Sequence, residues 1–395
     1  MLASKLCALV DQVRERVIDF ARRLVSTPSL SGHEEGVADL VEEELRSLGC
    51  AEVWRDRAGN VLAKIEGGAG RSVLLHSHMD VVAPGESSLW TYPPFSGKIA
   101  EGCLWGRGAS DDKGSLAAQV YAFGLLSQVE ERPAGDVYLA AVVNEETGGL
   151  GTISLLREFK PGLAIIGEPS RNILRRGHRG RFEFVVEFIG RSAHASMPER
   201  GINPFYALAR FLSALRELPM WKGPDFQSTV APTLLRMAQE NANVIPAKLS
   251  LHLDWRCAPG ESLEHAQALL QRLIDETVEP DGRAEVHVHD RLSRTYTGVE
   301  ELLHQELSYF YLPEDDPLVV RARQVLQQAL GRPVAVDLWP FCTDGGHLYA
   351  AGVPCIGFGP GDEALAHVVD EHIELAQLIE AVGGYLALAL EIGRE

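Results

Sequence analysis

Five short segments of this 395-residue chain place a histidine or a carboxylate where an apolar run ends or a helix begins. The first is His76-Ser77-His78-Met79-Asp80, which closes a strongly apolar run. In a strand, residues i and i+2 share a face, so His78 and Asp80 can point the same way, the carboxylate orienting an imidazole that binds a metal. A turn-capping aspartate is the ordinary alternative. The second segment, Gly106 to Gly114, leads through Asp111 and Asp112 into a helix expected to begin near Ser115. Either carboxylate could simply cap that helix. A phosphate loop is disfavoured there, because two adjacent carboxylates would face the anion and the glycine-lysine spacing is missing.

The third segment, Asn144-Glu145-Glu146-Thr147-Gly148-Gly149, follows the apolar run Val137 to Val143. In water its glutamates would be a solvated charge run, but at the end of a buried strand they repel each other and lose solvation unless a cation neutralises them. Ile165-Ile166-Gly167-Glu168-Pro169 repeats the device, and Ala366-His367 follows the strand and turn Ile356 to Gly361. Each segment alone has a structural explanation. Together they supply two imidazoles and several carboxylates, a set that suits two divalent metals bridged by one carboxylate, with a spare carboxylate as base. Zinc suits such nitrogen and oxygen ligands best.

The elements that must position these residues read as an α/β architecture. Apolar positions at helical spacing predict two helices between Arg14 and Leu48, broken at Thr27-Pro28-Ser29 and Ser31-Gly32. Strands at Ser72 to His76, Val137 to Val143 and Leu163 to Gly167, with a helix from Ser115 to Val129, predict a sheet covered by helices on both faces. After Pro169 the pattern changes. Arg181 to Ile189 alternates, with Phe182, Phe184, Val186 and Phe188 on one face, and a β-α-β-β-α-β order follows to Asp290, the ferredoxin-like arrangement. Helix and strand alternate again from Pro317 to Ile392. The expected division is a catalytic domain built from 1–172 and 295–395, with a small α+β domain inserted at 173–294.

Composition narrows the function classes. Hydrophobic residues make up 46% and charged residues 23%, a globular profile that excludes a largely disordered chain. Lys+Arg 37 against Asp+Glu 55 gives a net charge of −18, which would repel nucleic acid and anionic membrane surfaces. The cysteines Cys7, Cys50, Cys103, Cys257, Cys342 and Cys355 form no close pairs, so they are read as small hydrophobes in a reducing compartment. No signal-peptide or membrane-span pattern is evident, and a cytoplasmic location is expected.

The ordered segments resemble the dinuclear zinc amidohydrolase and metallopeptidase family of acetylornithine deacetylase, succinyl-diaminopimelate desuccinylase, aminoacylase, carnosinase and glutamate carboxypeptidase, over nearly the whole chain. The resemblance implies a zinc-peptidase-like catalytic domain with helices on both faces of a mixed sheet. It also implies that the inserted domain is a lid through which the chain forms a homodimer. His78, Asp111 and Glu168 would hold one metal and Asp111, Glu146 and His367 the other, with two Zn2+ as cofactor and Co2+ or Mn2+ as substitutes. Glu145 would be the general base and Asp80 the partner of His78. In the lid, Gly190 to Pro198 resembles the segment whose histidine, here His194, steadies the oxyanion, often from the partner subunit. Asn243 occupies the Asn-x-Ile-Pro position. Arg256, on the polar face of Lys248 to Arg256, either pairs locally or clamps a substrate carboxylate.

Phe341-Cys342-Thr343-Asp344-Gly345-Gly346-His347 occupies the family's glycine-rich substrate loop with different residues, so Gly345 is a candidate substrate contact and His347 has no assigned role. The reaction expected is hydrolysis of the amide of an N-acyl amino acid bearing a free carboxylate. A dipeptidase or carboxypeptidase on short peptides is the alternative. A non-catalytic binding protein retaining the fold and a dinuclear phosphoesterase are competing classes.

Overall fold

The computed structural model describes residues 2–238, 240–279 and 282–394. It divides into two compact units, one of 1–178, 292–301 and 310–395, the other of 179–291 and 302–309. The sequence pattern predicts single boundaries at 173 and 294. Leu174 and Arg175 instead pair inside the large sheet of the first unit.

In chain order the strands that position functional residues are β1 (Glu52–Arg55), β2 (Val61–Ile65), β3 (Val73–His78), β4 (Val137–Val142), β5 (Leu163–Ile166), β6 (Leu174–Arg175), β7 (Gly180–Ile189), β8 (Ala193–His194), β9 (Thr229–Arg236), β10 (Val244–Ile245), β11 (Lys248–Cys257), β12 (Arg283–Val288), β13 (Val336–Asp337) and β14 (Cys355–Gly357).

The first unit is built on an eight-stranded mixed sheet in the order β1-β2-β4-β3-β5-β14-β6-β13. Strands β4, β3, β5 and β14 run parallel. Their side chains alternate between two cores. Val73 and Leu75 of β3 and Leu163 and Ile165 of β5 join the helices Leu2–Ser26, Lys113–Leu125 and Leu375–Glu391 in one cluster. Leu74, Ala164 and Ile166 face the opposite way, into a cluster with Leu155 and Leu348. Strands buried on both faces explain the continuous apolar runs in the sequence. The helix Lys113–Leu125 is buried at every position, so it carries no polar stripe.

The second unit holds an antiparallel sheet, β9-β11-β7-β12, to which Glu306–Leu307 adds a short fifth strand beside β7. With helices Pro204–Leu215 and Leu263–Thr277, the order β7-α-β9-β11-α-β12 is ferredoxin-like. Phe182, Phe184, Val186 and Phe188 pack with Phe211, Leu251, Leu253 and Leu270 as the core of this unit. Cys50, Cys257 and Cys355 are buried as small hydrophobes, whereas Cys103 and Cys342 are half-buried and Cys7 is exposed. Among the described residues no helix is long and apolar enough to cross a membrane.

Candidate metal centre and active site

Because β3, β4, β5 and β14 run parallel, the residues that follow them meet along one sheet edge, the carboxyl edge at which open α/β sheets bind ligands. His78 ends β3, Glu145 and Glu146 follow β4, Glu168 follows β5, and His367 lies in the loop after β14. Asp111 arrives from the turn that enters the helix Lys113–Leu125.

Asp111 sits between the two imidazoles. Its Oδ1 is 3.0 Å from His78 Nε2 and its Oδ2 is 3.3 Å from His367 Nε2. Glu168 Oε1 lies 3.7 Å from His78 Nε2, and the Glu146 carboxylate lies 3.0 Å from His367 Nε2. Two overlapping groups, His78 with Asp111 and Glu146 and His78 with Glu145 and Glu168, keep their ligand-type atoms within 4.8 Å of one another.

The electrostatics of this cluster favour added positive charge. Burial pushes the Glu145 and Glu168 carboxyls well above the usual range, Asp344 and Glu146 adding to the first and Asp111 to the second. Glu146 is raised by burial and by Asp111. Asp111 goes the other way, since hydrogen bonds from His367 and His78 outweigh its burial and hold it well below the usual range. His367 is pushed up to about 10 by its bonds to Asp111 and Glu146. For His78, burial opposes the charged form, but Asp111, Asp80, Glu168 and Glu145 together raise it well above an ordinary imidazole. Two imidazoles facing both oxygens of one carboxylate, with further carboxylates pressed into the same buried space, form a donor set that fits a pair of divalent cations.

Other residues hold this set in place. Asp80 was expected to orient His78, and its backbone carbonyl does lie 2.9 Å from His78 Nδ1, whereas its carboxylate Oδ1 is 3.5 Å away. That carboxylate instead accepts the backbone N–H groups of Glu145 and Glu146 at 3.0 and 3.2 Å and the Ser31 hydroxyl at 2.7 Å. It therefore pins the Glu145-Glu146 turn to the end of β3. Buried Asp112 accepts the His78 N–H at 3.2 Å.

Glu371 was not anticipated. One of its oxygens accepts the N–H groups of Ser110 and Asp111 at 2.9 and 3.0 Å, and the other accepts Arg107 Nη1 at 2.6 Å and Gly108 N–H at 3.0 Å. The loop carrying Asp111 is wrapped around this one carboxylate. His76 was not singled out either. Its Nε2 lies 2.7 Å from Thr152 Oγ1, which donates to Asp344 Oδ2 at 2.5 Å, and burial lowers the His76 pKa to about 4. Its place was foreshadowed only by lying two residues before His78.

Gly345 opens the short helix Gly345–Ala350. A Cβ there would come within 2.8 Å of the Phe310 ring, a packing reason for glycine beside any contact with substrate. His347 lies in the same helix, its pKa lowered by burial.

Within the second unit, β8 pairs with β10, so His194 stands opposite Val244, and the Asn243 carbonyl accepts the Ala195 N–H at 2.9 Å. His194 is exposed, and its Nδ1 accepts the Ser196 N–H at 3.2 Å. An accepting Nδ1 places the proton of the neutral ring on Nε2, which leaves Nε2–H as a donor. Arg256 lies on β11, where its Nε donates to Asp254 Oδ1 at 2.6 Å, and Asp254 also accepts Arg181 Nε at 2.6 Å.

Comparison with known proteins identifies the family of the chain. Residues 74–391 match the Peptidase family M20/M25/M40. A succinyl-diaminopimelate desuccinylase of Cereibacter sphaeroides is 30% identical over 388 residues, covering 92% of this chain and 96% of that protein. The Escherichia coli K12 protein YgeY is 29% identical over 381 residues, covering 94% and 93%. In fold, the chain is similar to the aminopeptidase PepT of Bacillus cereus, with a TM-score of 0.76 at 18% identity over 96% of this chain and 99% of that one. It is also similar to human carnosine dipeptidase 1, with a TM-score of 0.72 at 16% identity over 100% and 99%. The Bacillus subtilis protein YXEP, described as a dinuclear metal-binding peptidase, gives a TM-score of 0.70 at 18% identity over 97% and 99%. Given a family match that spans most of its length, the chain belongs to the M20/M25/M40 peptidase family and is a metal-dependent hydrolase of that class.

Proposed function

We propose that the protein hydrolyses the amide bond of an N-acyl amino acid with a free carboxylate, using a dinuclear zinc centre. The observation that carries this reading is Asp111, whose two oxygens face His78 and His367 with Glu145, Glu146 and Glu168 alongside. His78, Asp111 and Glu168 would hold one ion and Asp111, Glu146 and His367 the other. When bound, such a pair lowers the pKa of water toward ~7 and polarises a carbonyl.

The chain's own residues do the rest. Glu145, a carboxylate whose proton affinity burial has raised, accepts the proton of the attacking water and delivers it to the leaving nitrogen. Asp80 fixes the backbone from which Glu145 projects. His194 offers Nε2–H to the developing oxyanion, in the family's manner from a partner subunit. Arg256, oriented by Asp254, is the candidate clamp for the substrate carboxylate, with Asn243 and Gly345 as further contacts.

The acyl amino acid reading is supported by the relative named as a desuccinylase, which aligns with 92% of this chain. A screen of zinc-loaded protein against N-acetyl amino acids, N-succinyl amino acids and dipeptides, detecting released amine, tests it. Turnover of an N-acyl amino acid is expected. Cleavage confined to dipeptides would replace the deacylase reading with the peptidase one.

A further inference from the structure

The second unit carries another group of ligand-type side chains, which the reaction above does not use. Glu183, His252 and His289 present a carboxylate and two imidazoles whose ligand-type atoms all lie within 4.8 Å of one another. Strand pairing explains the convergence. β7 lies between β11 and β12, so Val185 is opposite both His252 and His287. Two residues further along, His289 donates its backbone N–H to the Glu183 carbonyl at 2.7 Å. Glu183 and Val185 share a face, the one turned away from Phe182, Phe184, Val186 and Phe188. Three segments of one sheet thus bring their side chains to one place.

The local geometry is close to what an ion needs. His252 Nδ1 is 3.0 Å from Glu183 Oε1, and the His252 and His289 ring centroids are 5.1 Å apart. Two ligands at ~2.0–2.1 Å around a tetrahedral ion stand about 3.3 Å apart, so seating one between Nδ1 and Oε1 requires a shift of only a few tenths of an ångström. The other oxygen, Oε2, lies 3.3 Å from Arg181 Nη2, which orients the carboxylate with Oε1 toward the imidazole. His252 is only 7% exposed, so its ring is already ordered before any ion arrives.

We propose that Glu183, His252 and His289 form an additional metal site for a borderline divalent ion such as Zn2+, made entirely by the second unit. Two imidazoles and one carboxylate supply three ligands and leave a fourth position for water. The ion takes the place of the hydrogen between Nδ1 and Oε1, whose proton moves to Nε2 of the ring or to solvent, and ties β7, β11 and the end of β12 together.

Metal counting on the full-length protein tests the proposal. With Zn2+ as the probe, equilibrium dialysis followed by elemental analysis should give three ions per chain for the wild type and two for His289→Gln. The affinity of the third ion should fall at least as far as the ~10–100-fold that loss of an outer-shell partner costs. Asp111→Asn, altered at the candidate catalytic centre, should still bind this ion, which separates the proposal from the reading of that centre. Circular dichroism and urea unfolding check that His289→Gln is folded, and His252→Gln provides a second variant. A count that is unchanged from the wild type in both folded variants overturns the site, whatever number the catalytic centre holds.

Discussion

Replacing Glu371 by glutamine would show how much the Asp111 loop depends on one carboxylate. Glu371 is fully buried, and its two oxygens take four donors, the N–H groups of Gly108, Ser110 and Asp111 and the guanidinium of Arg107. Burial and the charge of Asp111 push its pKa up to about 7, yet four N–H donors leave no oxygen site for a proton. Cations beside Asp111 reverse that second influence and favour the ionised form. Glutamine keeps one oxygen and turns the other position into a donor. The best orientation keeps the oxygen on Arg107 and Gly108 and sets an amide N–H2 against the Ser110 and Asp111 N–H groups. Two buried donors then lose their acceptor at ~1–3 kcal/mol each, a loss of ~2–6 kcal/mol in all. The assays are urea unfolding and competition with a chelator. The Glu371→Gln protein should unfold at lower urea and hold its catalytic metals ~10–100-fold more weakly, as loss of outer-shell support does. A wild-type midpoint together with wild-type metal affinity would refute the claim that Glu371 organises this loop.

Glu145→Gln should keep its metal content by elemental analysis while losing ~10²–10⁴-fold in amine release, the contribution of a positioned general base. His194→Ala should lose ~10²–10³-fold in kcat, the usual effect of removing one oxyanion donor. If His194 acts across a homodimer, unfolding and refolding an equal mixture of Glu145→Gln and His194→Ala should restore up to about a quarter of wild-type activity, because half of the dimers are mixed and each carries one intact site. Gly345→Ala should lower the melting temperature, because its Cβ would meet the Phe310 ring at 2.8 Å and overpacking of this kind costs ~1–3 kcal/mol.

The residues gathered at the sheet edge were legible where they stand directly after an apolar run or at a helix entry, because residue type and local pattern carry the information there. His78, Asp111, Glu145, Glu146 and Glu168 are of this kind, whereas His367 lies in the loop after β14 with no apolar run directly before it. The ferredoxin-like order of the second unit was legible for a similar reason, since Phe182, Phe184, Val186 and Phe188 alternate with Glu183, Val185 and Glu187. Glu371 was not legible, because its meaning lies in a loop 260 to 264 positions earlier in the chain. Asp344 and His76 meet through Thr152 and directly at 3.7 Å, contacts between separate elements that no local pattern encodes. Asp80 illustrates an intermediate case. Its sequence position predicted proximity to His78, while its carboxylate is engaged by the Glu145 and Glu146 backbone, which depends on the parallel pairing of β3 with β4. That pairing, like the strand order of both sheets, is a tertiary fact.

The central claim is that two ions share Asp111. Anomalous scattering from a crystal of the zinc-loaded protein, measured on both sides of the zinc absorption edge, tests it most directly. The account predicts two peaks ~3.5–4 Å apart, one on each side of the Asp111 carboxylate, as in two-metal sites. The first should be bound by His78 and Glu168 and the second by Glu146 and His367. A single peak there, or two peaks that do not have Asp111 between them, would contradict it.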